Sequence, residues 1–248
     1  MISSSQNERV KYWFSLKDKK NRDINKEYII EGEHLVSEAY KYGFLKSIIY
    51  CGELSSDYEK IDCIEVSRNI IEKLSSTPSP QNVLGIARFF DEVKTINNDK
   101  IILLDGVQDP GNAGTIVRNA LAFDYNFVFF SNDSVDIYNS KFIRATQGYF
   151  YCLKIFRGDI KEFTKILIKN KYDIITTYLD ENSIDINLVN PHEKHAIVFG
   201  NEGQGVSKEI IELANKKVVI PMNSKVDSLN VAVASGIVMY QFNKINKY

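Results

Sequence analysis

Residues 101–119 read IILLDGVQDPGNAGTIVRN: an apolar run of strand length, then a loop with three glycines, then a stretch with helical spacing. An unbroken apolar run of this length is typical of a strand buried on both faces, as in parallel sheets. We therefore predict a strand at 101–104 and a helix at 115–123. This strand–loop–helix unit indicates an α/β fold.

The same alternation continues toward the C-terminus. Further strands are predicted at 127–130, 174–177, 196–199 and 217–220, and further helices at 159–169 and 229–243. Together they predict an α/β domain over residues 101–248, with a parallel sheet covered by helices on both faces. Ligands of such sheets bind at the carboxyl ends of the strands, so we look for the functional residues there.

Residues 1–93 predict a second, smaller α/β domain. An amphipathic helix ends near Gly43, short strands follow at 47–50, 64–66 and 83–89, and a helix lies at 70–74 before the break Thr77-Pro78-Ser79-Pro80. The polar stretch 94–100 has no apolar periodicity and is predicted to link the two domains.

The loop after the first strand of the larger domain contains Gly106, Gly111 and Gly114 and leads to Arg118. These glycines do not have the spacing of the G-x-G-x-x-G dinucleotide fingerprint, which disfavours an ordinary Rossmann-type enzyme. Two interpretations of the loop stay open. It either binds an anion at the start of the helix, or it is a turn in which Asn112 caps the helix and Arg118 is solvated.

Two more strand ends carry unusual residues. Residues 197–207, IVFGNEGQGVS, place three glycines around Glu202, and residues 219–230, VIPMNSKVDSLN, precede a helix that starts with small residues. Three glycines beside one carboxylate favour a backbone that folds tightly around a ligand. In the alternative interpretation of the last segment, Ser228 is a helix N-cap and Asn230 lies in the first turn.

The three segments, in this order and at these separations, resemble the motifs Asn-x-Gly…Arg, Gly-x-Glu-Gly-x-Gly and Ile-Pro-Met…Ser-Leu-Asn-Val of the SpoU branch of the SPOUT RNA methyltransferases. The resemblance spans nearly the whole chain. Residues 19–36 are similar to the family's ribosomal-protein-like RNA-binding domain, and residues 144–148, RATQG, resemble a segment between the first two motifs. Two departures, Ser224 in place of glycine and Thr146-Gln147 in place of a serine-led pair, concern substrate selection more than catalysis.

The resemblance implies methyl transfer from S-adenosylmethionine to a ribose 2′-hydroxyl of RNA. The positions that match the family's catalytic residues are Asn112, Arg118, Glu202, Ser228 and Asn230. A guanidinium holds its proton too strongly to act as a free base, so we expect Arg118 to anchor a phosphate and to stabilise developing alkoxide charge. Glu202 has an alternative role as a structural carboxylate that ties its glycine loop together.

The resemblance also indicates binding residues. The cofactor positions are Gly200, Ile220, Met222 and Leu229, and the RNA-binding positions are Lys19, Lys20, Arg22 and Arg144. Ile220 and Leu229 have an alternative role as core residues, since main-chain groups would recognise the cofactor. Residues 17–26 have an alternative role as a solvated polar face.

The family fold implies a deep trefoil knot in the C-terminal domain and a homodimer. The N-terminal domain favours ribosomal RNA over transfer RNA, because minimal transfer-RNA members of the branch lack it. A transfer-RNA ribose methyltransferase and a catalytically inactive RNA-binding relative are the alternatives that stay open.

Composition restricts partners and location. The chain has 31 Lys and Arg residues against 32 Asp and Glu residues, a net charge of −1, so RNA must be attracted by a local patch. The three cysteines, Cys51, Cys63 and Cys152, lack metal-ligand spacing and predict reduced thiols without a metal site. Without a signal-peptide pattern or an apolar run of membrane-spanning length, we expect a cytoplasmic protein and no membrane partner.

Overall fold

The computed structural model describes residues 1–54, 58–91, 96, 98–178, 180 and 183–244. The chain forms two compact units: Met1–Asp91 with Ile137–Tyr151, and Glu92–Asp136 with Cys152–Tyr248. Of the predicted linker 94–100, residues 94, 95 and 97 lie outside the described residues, and Lys100 is already part of a strand.

The first unit is a small α/β sandwich. Along residues 1–91 it contains α1 (Glu8–Ser15), α2 (Lys19–Asn25), β1 (Glu27–Glu31), α3 (Glu33–Lys41), β2 (Leu45–Tyr50), β3 (Asp62–Glu65), α4 (Arg68–Leu74) and β4 (Val83–Arg88). The strands form one sheet in the order β1-β4-β2-β3, in which only the β2–β3 pair is parallel. Trp13 of α1 and Ile70 of α4 pack against Ile49 and Leu84 of the sheet, which forms the core of this unit.

The second unit carries the larger sheet. It begins with β5 (Lys100–Asp105), α5 (Pro110–Ala122) and β6 (Phe127–Ser131); α6 (Ser140–Thr146) then lies in the segment that belongs to the first unit. The second unit continues with β7 (Lys154–Gly158), α7 (Ile160–Lys169), β8 (Asp173–Thr177), β9 (Ile184–Asp185), β10 (His195–Gly200), α8 (Lys208–Leu213), β11 (Lys216–Val219) and α9 (Val231–Lys244).

The seven strands of this sheet are all parallel and follow the order β7-β6-β5-β10-β8-β11-β9. This confirms the predicted α/β class and parallel sheet. Every residue of β6 and β10 is buried, which explains why these strands read as unbroken apolar runs. On one face the ring of Phe163 in α7 stacks on Phe129 of β6, with centroids 4.0 Å apart.

The segment Ile137–Tyr151 belongs to the first compact unit, although the sequence places it within the predicted domain 101–248. Aromatic packing explains this. The Tyr151 hydroxyl lies 2.9 Å from the Tyr28 hydroxyl, the Tyr151 ring stacks on Phe44, and the Tyr138 ring stacks on Phe89.

The two helices that follow motif segments, α5 and α9, begin elsewhere than predicted. α5 begins at Pro110, because the Asp109 side chain accepts a hydrogen bond from the Asn112 backbone N–H and proline fits the first helical position. Asp109, and not Asn112, is therefore the N-cap. α9 begins at Val231, and its cap is Asn230 rather than Ser228.

None of the described helices combines the length and the apolar character needed to cross a bilayer. None of the three cysteines, all of which lie in the described residues, forms a disulfide. Within the described part of the chain, no group of His, Cys, Asp and Glu side chains is arranged to hold a metal ion.

A candidate active site at the carboxyl ends of the parallel strands

β5 and β10 are neighbours in the middle of the larger sheet, and this pairing brings the first two glycine loops together. Gly200 pairs with Asp105 at the carboxyl ends of the two strands. Beyond that pair, the Asn201 side-chain N–H donates to the Gly106 carbonyl over 2.8 Å, and the Ser207 backbone N–H donates to the Asp105 carboxylate over 2.7 Å. The loops therefore form one connected structure.

The loop 200–205 is closed on itself. Asn201 and Gly205 exchange two backbone hydrogen bonds of 2.9 Å, and the Asn201 side-chain oxygen accepts from the N–H groups of Gly203 and Gln204. A Cβ atom on Gly200 would lie 2.1 Å from the backbone of Gly205 and Val206, so only glycine fits there. The three predicted glycines thus surround a turn that Asn201 organises.

Glu202 projects from this turn to the loop at the start of α5. Its carboxylate accepts hydrogen bonds from the backbone N–H groups of Gln108 and Asp109, at 3.3 and 3.1 Å, and from the side-chain amide of Asn112, at 3.0 Å. Burial by itself would raise the pKa of Glu202, but these hydrogen bonds and its own backbone N–H outweigh burial and lower the pKa. The carboxylate is therefore ionised at neutral pH.

Asn112 extends this connection to the third segment. Its side-chain oxygen accepts a hydrogen bond of 3.0 Å from the Asn230 amide, while the Asn230 oxygen accepts from the N–H groups of Ala232 and Val233 at the start of α9. Glu202, Asn112 and Asn230 thus form a continuous chain of hydrogen bonds. The structure brings together one residue from each of the three predicted segments.

α5 and α9 pack closely behind this chain. The Asn119 side-chain amide donates to the Ala232 carbonyl and to the Ser235 hydroxyl, at 3.1 and 3.0 Å. A Cβ atom on Gly236 would lie 3.3 Å from the same amide nitrogen, so the small residues of α9 permit the close approach. Both helices, and the site residues at their N-terminal ends, are held in a fixed arrangement.

A cleft of about 500 Å³ opens beside these residues. All four predicted cofactor positions line it, Gly200, Ile220, Met222 and Leu229, and so do Glu202, Ser228 and Asn230. Residues 200–206, 218–220, 222 and 227–231 line it, and the main chain of these segments can offer N–H and C=O groups to a ligand. Its volume lies in the range of about 300–1,000 Å³ that is usual for small-molecule sites. The residues present therefore fit a cofactor the size of S-adenosylmethionine.

The cleft also includes residues that were not predicted, notably Thr177 and Tyr178 at the end of β8. These two residues lie at the end of a predicted strand, and β8 lies beside β10. Their position at a strand end could therefore have identified them as site residues from the sequence.

Arg118 and Ser228 lie outside the hydrogen-bond chain. Both side chains are exposed, and within the described part of the chain neither has a hydrogen-bond or ion-pair partner. Arg118 projects from α5 on the same helix as Asn112. Both groups are therefore free to contact a substrate.

The predicted RNA-binding residues differ in their surroundings. Lys20 is exposed, Lys19 forms an ion pair of 2.5 Å with Asp23, and Arg144 donates to the Ser76 hydroxyl over 2.8 Å. Arg22 is buried, and its guanidinium donates to the carbonyls of residues 16 and 17 at the end of α1. These two hydrogen bonds hold the turn between α1 and α2.

Comparison with known proteins identifies both parts of the chain. A family model described as the SpoU rRNA Methylase family matches residues 99–240, and a model described as an MRM3-like substrate binding domain matches residues 7–85. A Bacillus subtilis protein named 23S rRNA (guanosine(2553)-2′-O)-methyltransferase RlmP is 33% identical over 243 residues, which cover 96% of this chain and 97% of that protein.

Two further relatives bear on the substrate and the cofactor. An Aquifex aeolicus tRNA (guanosine(18)-2′-O)-methyltransferase is 31% identical and matches 63% of this chain and 74% of its own length. The crystal structure of an AdoMet-bound rRNA methyltransferase from Sinorhizobium meliloti superposes with a TM-score of 0.87 at 26% identity and covers 98% of this chain and 97% of that one. The resemblance noted from the three motifs is thereby confirmed: the chain belongs to the SpoU rRNA methylase family.

Proposed function

We propose that this protein transfers the methyl group of S-adenosylmethionine to a ribose 2′-hydroxyl of 23S ribosomal RNA. The observation that carries the proposal is the hydrogen-bond chain Glu202–Asn112–Asn230, which joins the three motif segments beside a cleft of suitable volume. Polar side chains that converge from separate strand ends beside a concave cleft are the usual arrangement of an active site.

The choice of ribosomal RNA is supported by the extent of the matches. The relative that acts on 23S rRNA matches both units of this chain, whereas the relative that acts on tRNA matches 63% of it. A guanosine equivalent to position 2553 is accordingly the first nucleotide to examine.

The residues that would hold the cofactor are Gly200, Ile220 and Leu229, through their main-chain groups, with Met222 at the edge of the cleft. S-adenosylmethionine supplies an electrophilic methyl group on a sulfonium when bound. The tight turn at Gly200 places its backbone, rather than a side chain, at the cleft wall.

The remaining residues position and activate the RNA. A ribose hydroxyl is a weak nucleophile at neutral pH and needs to be aligned and stabilised as its proton leaves. The exposed guanidinium of Arg118 binds the adjacent phosphate and stabilises the developing alkoxide, and the exposed hydroxyl of Ser228 orients the nucleotide. Glu202, Asn112 and Asn230 fix the loops from which these two groups act.

RNA also contacts the first unit in this proposal. Lys19, Lys20 and Arg144 supply positive charge at its surface, and Arg22 contributes by holding the turn that presents the two lysines.

We extend the proposal to assembly and topology. Val233, Ile237 and Tyr240 are exposed by 53%, 38% and 55% and share one face of α9 at i, i+4 and i+7 spacing, which supports a homodimer formed through this face. Membership of the SpoU family supports a trefoil knot, and the segment after β11 lines the same cleft as the ends of β8 and β10 before Asn230 contacts Asn112. A ribosomal substrate and three cysteines that form no disulfide support a cytoplasmic location.

The test is methyl transfer from labelled S-adenosylmethionine to unmodified 23S rRNA, with unmodified tRNA as the matched control, followed by mapping of 2′-O-methyl positions. We expect one methylated ribose in 23S rRNA and none in tRNA. Incorporation into tRNA alone would favour the transfer-RNA alternative, and RNA binding without any incorporation would favour an inactive relative.

A further inference from the structure

A cavity of about 240 Å³ lies within the first unit, and residues of that unit alone form its walls. Five buried aliphatic side chains line it, Leu16, Ile30, Leu35, Leu74 and Ile143. Ile29 and Tyr138 also line it, and polar and charged side chains form the rest of the wall. Apolar surface with a few fixed polar groups is the usual composition of a small-ligand site.

Two cationic side chains of this wall, those of Arg144 and Lys17, have N–H groups that make no hydrogen bond within the described part of the chain. Arg144 donates one N–H to the Ser76 hydroxyl, and in the described part of the chain its guanidinium has no further partner among its five N–H groups. The Lys17 ammonium donates to the carbonyls of Lys73 and Ser75, each at 2.8 Å, which leaves one of its three N–H groups. These two cations therefore suit the cavity to an anionic group.

A negatively charged side chain, that of Glu31, also lines the same cavity. The Glu31 carboxylate accepts from the hydroxyls of Ser75 and Thr77, at 2.7 and 2.6 Å, and from the Ser76 backbone N–H at 3.2 Å. Burial would raise the pKa of Glu31, but these hydrogen bonds lower it, so the group is ionised. A bare phosphate would be repelled by this carboxylate, whereas a group with N–H donors would be attracted.

A nucleotide satisfies both requirements, because its phosphate is anionic and its base carries N–H donors on an apolar ring. We infer that this cavity receives one unpaired nucleotide of the RNA substrate, with the phosphate at Arg144 and Lys17 and the donor edge of the base toward Glu31. RNA-binding proteins commonly read unpaired bases in this way. The inference rests on the proposed function for the presence of RNA, and it adds a nucleotide-binding site distinct from the cofactor cleft.

The test uses the full chain with 13C-labelled isoleucine and leucine methyl groups, titrated with AMP, GMP, CMP, UMP and inorganic phosphate. We expect the nucleotides to shift the methyl signals of Leu35, Leu74 and Ile143. Ser76→Phe should abolish these shifts, because Ser76 is exposed and lines the cavity. Ser79→Phe, in the same loop but outside the cavity, is the matched control and should bind as the wild type does.

Arg144→Gln should weaken nucleotide binding about tenfold or more, because it removes a charge-assisted hydrogen bond to the phosphate. Lys141→Gln on the same helix is its control. In the methyl-transfer assay, Ser76→Phe should raise KM for RNA severalfold while kcat and cofactor affinity stay unchanged.

Absence of methyl shifts with every nucleotide would overturn the inference, and so would phosphate binding as tightly as the nucleotides. The titrations need neither cofactor nor turnover, so their failure is distinguishable from a failure of wild-type methyl transfer to rRNA, which would contradict the proposed function instead.

Discussion

The Asn230 amide donates to the side-chain oxygen of Asn112 over 3.0 Å while its own oxygen caps α9. The Asn230 side chain therefore has two roles: its oxygen caps the helix, and its amide group contacts the site residue Asn112. Because Asn112 uses its amide group to bind Glu202, neither asparagine can rotate its amide by 180° without losing hydrogen bonds. The orientation of the three residues is therefore fixed before substrate binds.

Asn230→Asp separates these two roles. Aspartate is as good a helix cap as asparagine, but it lacks the amide donor and places an anion against the Asn112 oxygen. We expect methyl transfer to fall at least about tenfold while the unfolding temperature changes little. Asn230→Ala is the matched variant, and it should lose both activity and about 1 kcal/mol of stability. Full activity in Asn230→Asp would show that the contact with Asn112 is dispensable.

The parallel sheet and the convergence of the three loops were predictable, because both follow from the apolar runs of strand length in the sequence. β6 and β10 are buried throughout, so their apolar runs are unambiguous, and parallel strands deliver their following loops to one edge. The order β5-β10 that joins the first two loops is a tertiary property, and the sequence carries no local signal of it.

Several short or locally polar elements were not predicted, although the equally short α4 was. α1, α2 and α6 have 7 or 8 residues each, too few for apolar periodicity to stand out, and packing stabilises them more than propensity does. The burial of Arg22 was equally hidden, because a run of basic residues does not show which guanidinium will donate to backbone carbonyls. The N-cap roles of Asp109 and Asn230 depend on backbone angles that several polar residues nearby could have adopted.

Gly200→Ala tests the close approach of two backbone segments in the glycine loop. The new Cβ would lie 2.1 Å from the backbone of Gly205 and Val206, so the loop has to move. We expect a loss of about 1–3 kcal/mol in the free energy of unfolding and loss of cofactor binding, measured by denaturant titration and calorimetry. Gly203→Ala is the matched control, since its nearest neighbour would be at 3.6 Å, an ordinary contact. Equal behaviour of the two variants would contradict this account.

Arg118→Ala tests the group proposed to bind phosphate and stabilise the alkoxide. Because the side chain is exposed and has no partner within the described part of the chain, the variant should fold as stably as the wild type. We expect methyl transfer to fall about a hundredfold or more, the size of effect seen when a group that stabilises developing charge is removed. Cofactor affinity, measured by calorimetry, should be unchanged. Wild-type activity in this variant would refute the role of Arg118.

The pH dependence of stability tests the hydrogen bonds to Glu202. Its pKa is lowered in the folded protein, so its contribution to stability is present above the ordinary carboxyl pKa of about 4.3 and is lost as the pH falls through the lower, folded value. Glu202→Gln removes this titration and replaces an acceptor of three hydrogen bonds with a neutral amide. We expect the variant to unfold at a lower temperature than the wild type at pH 7, and the difference to narrow as the pH is lowered toward 3. A difference that stays constant over this range would mean that the ionised carboxylate does not hold the loop.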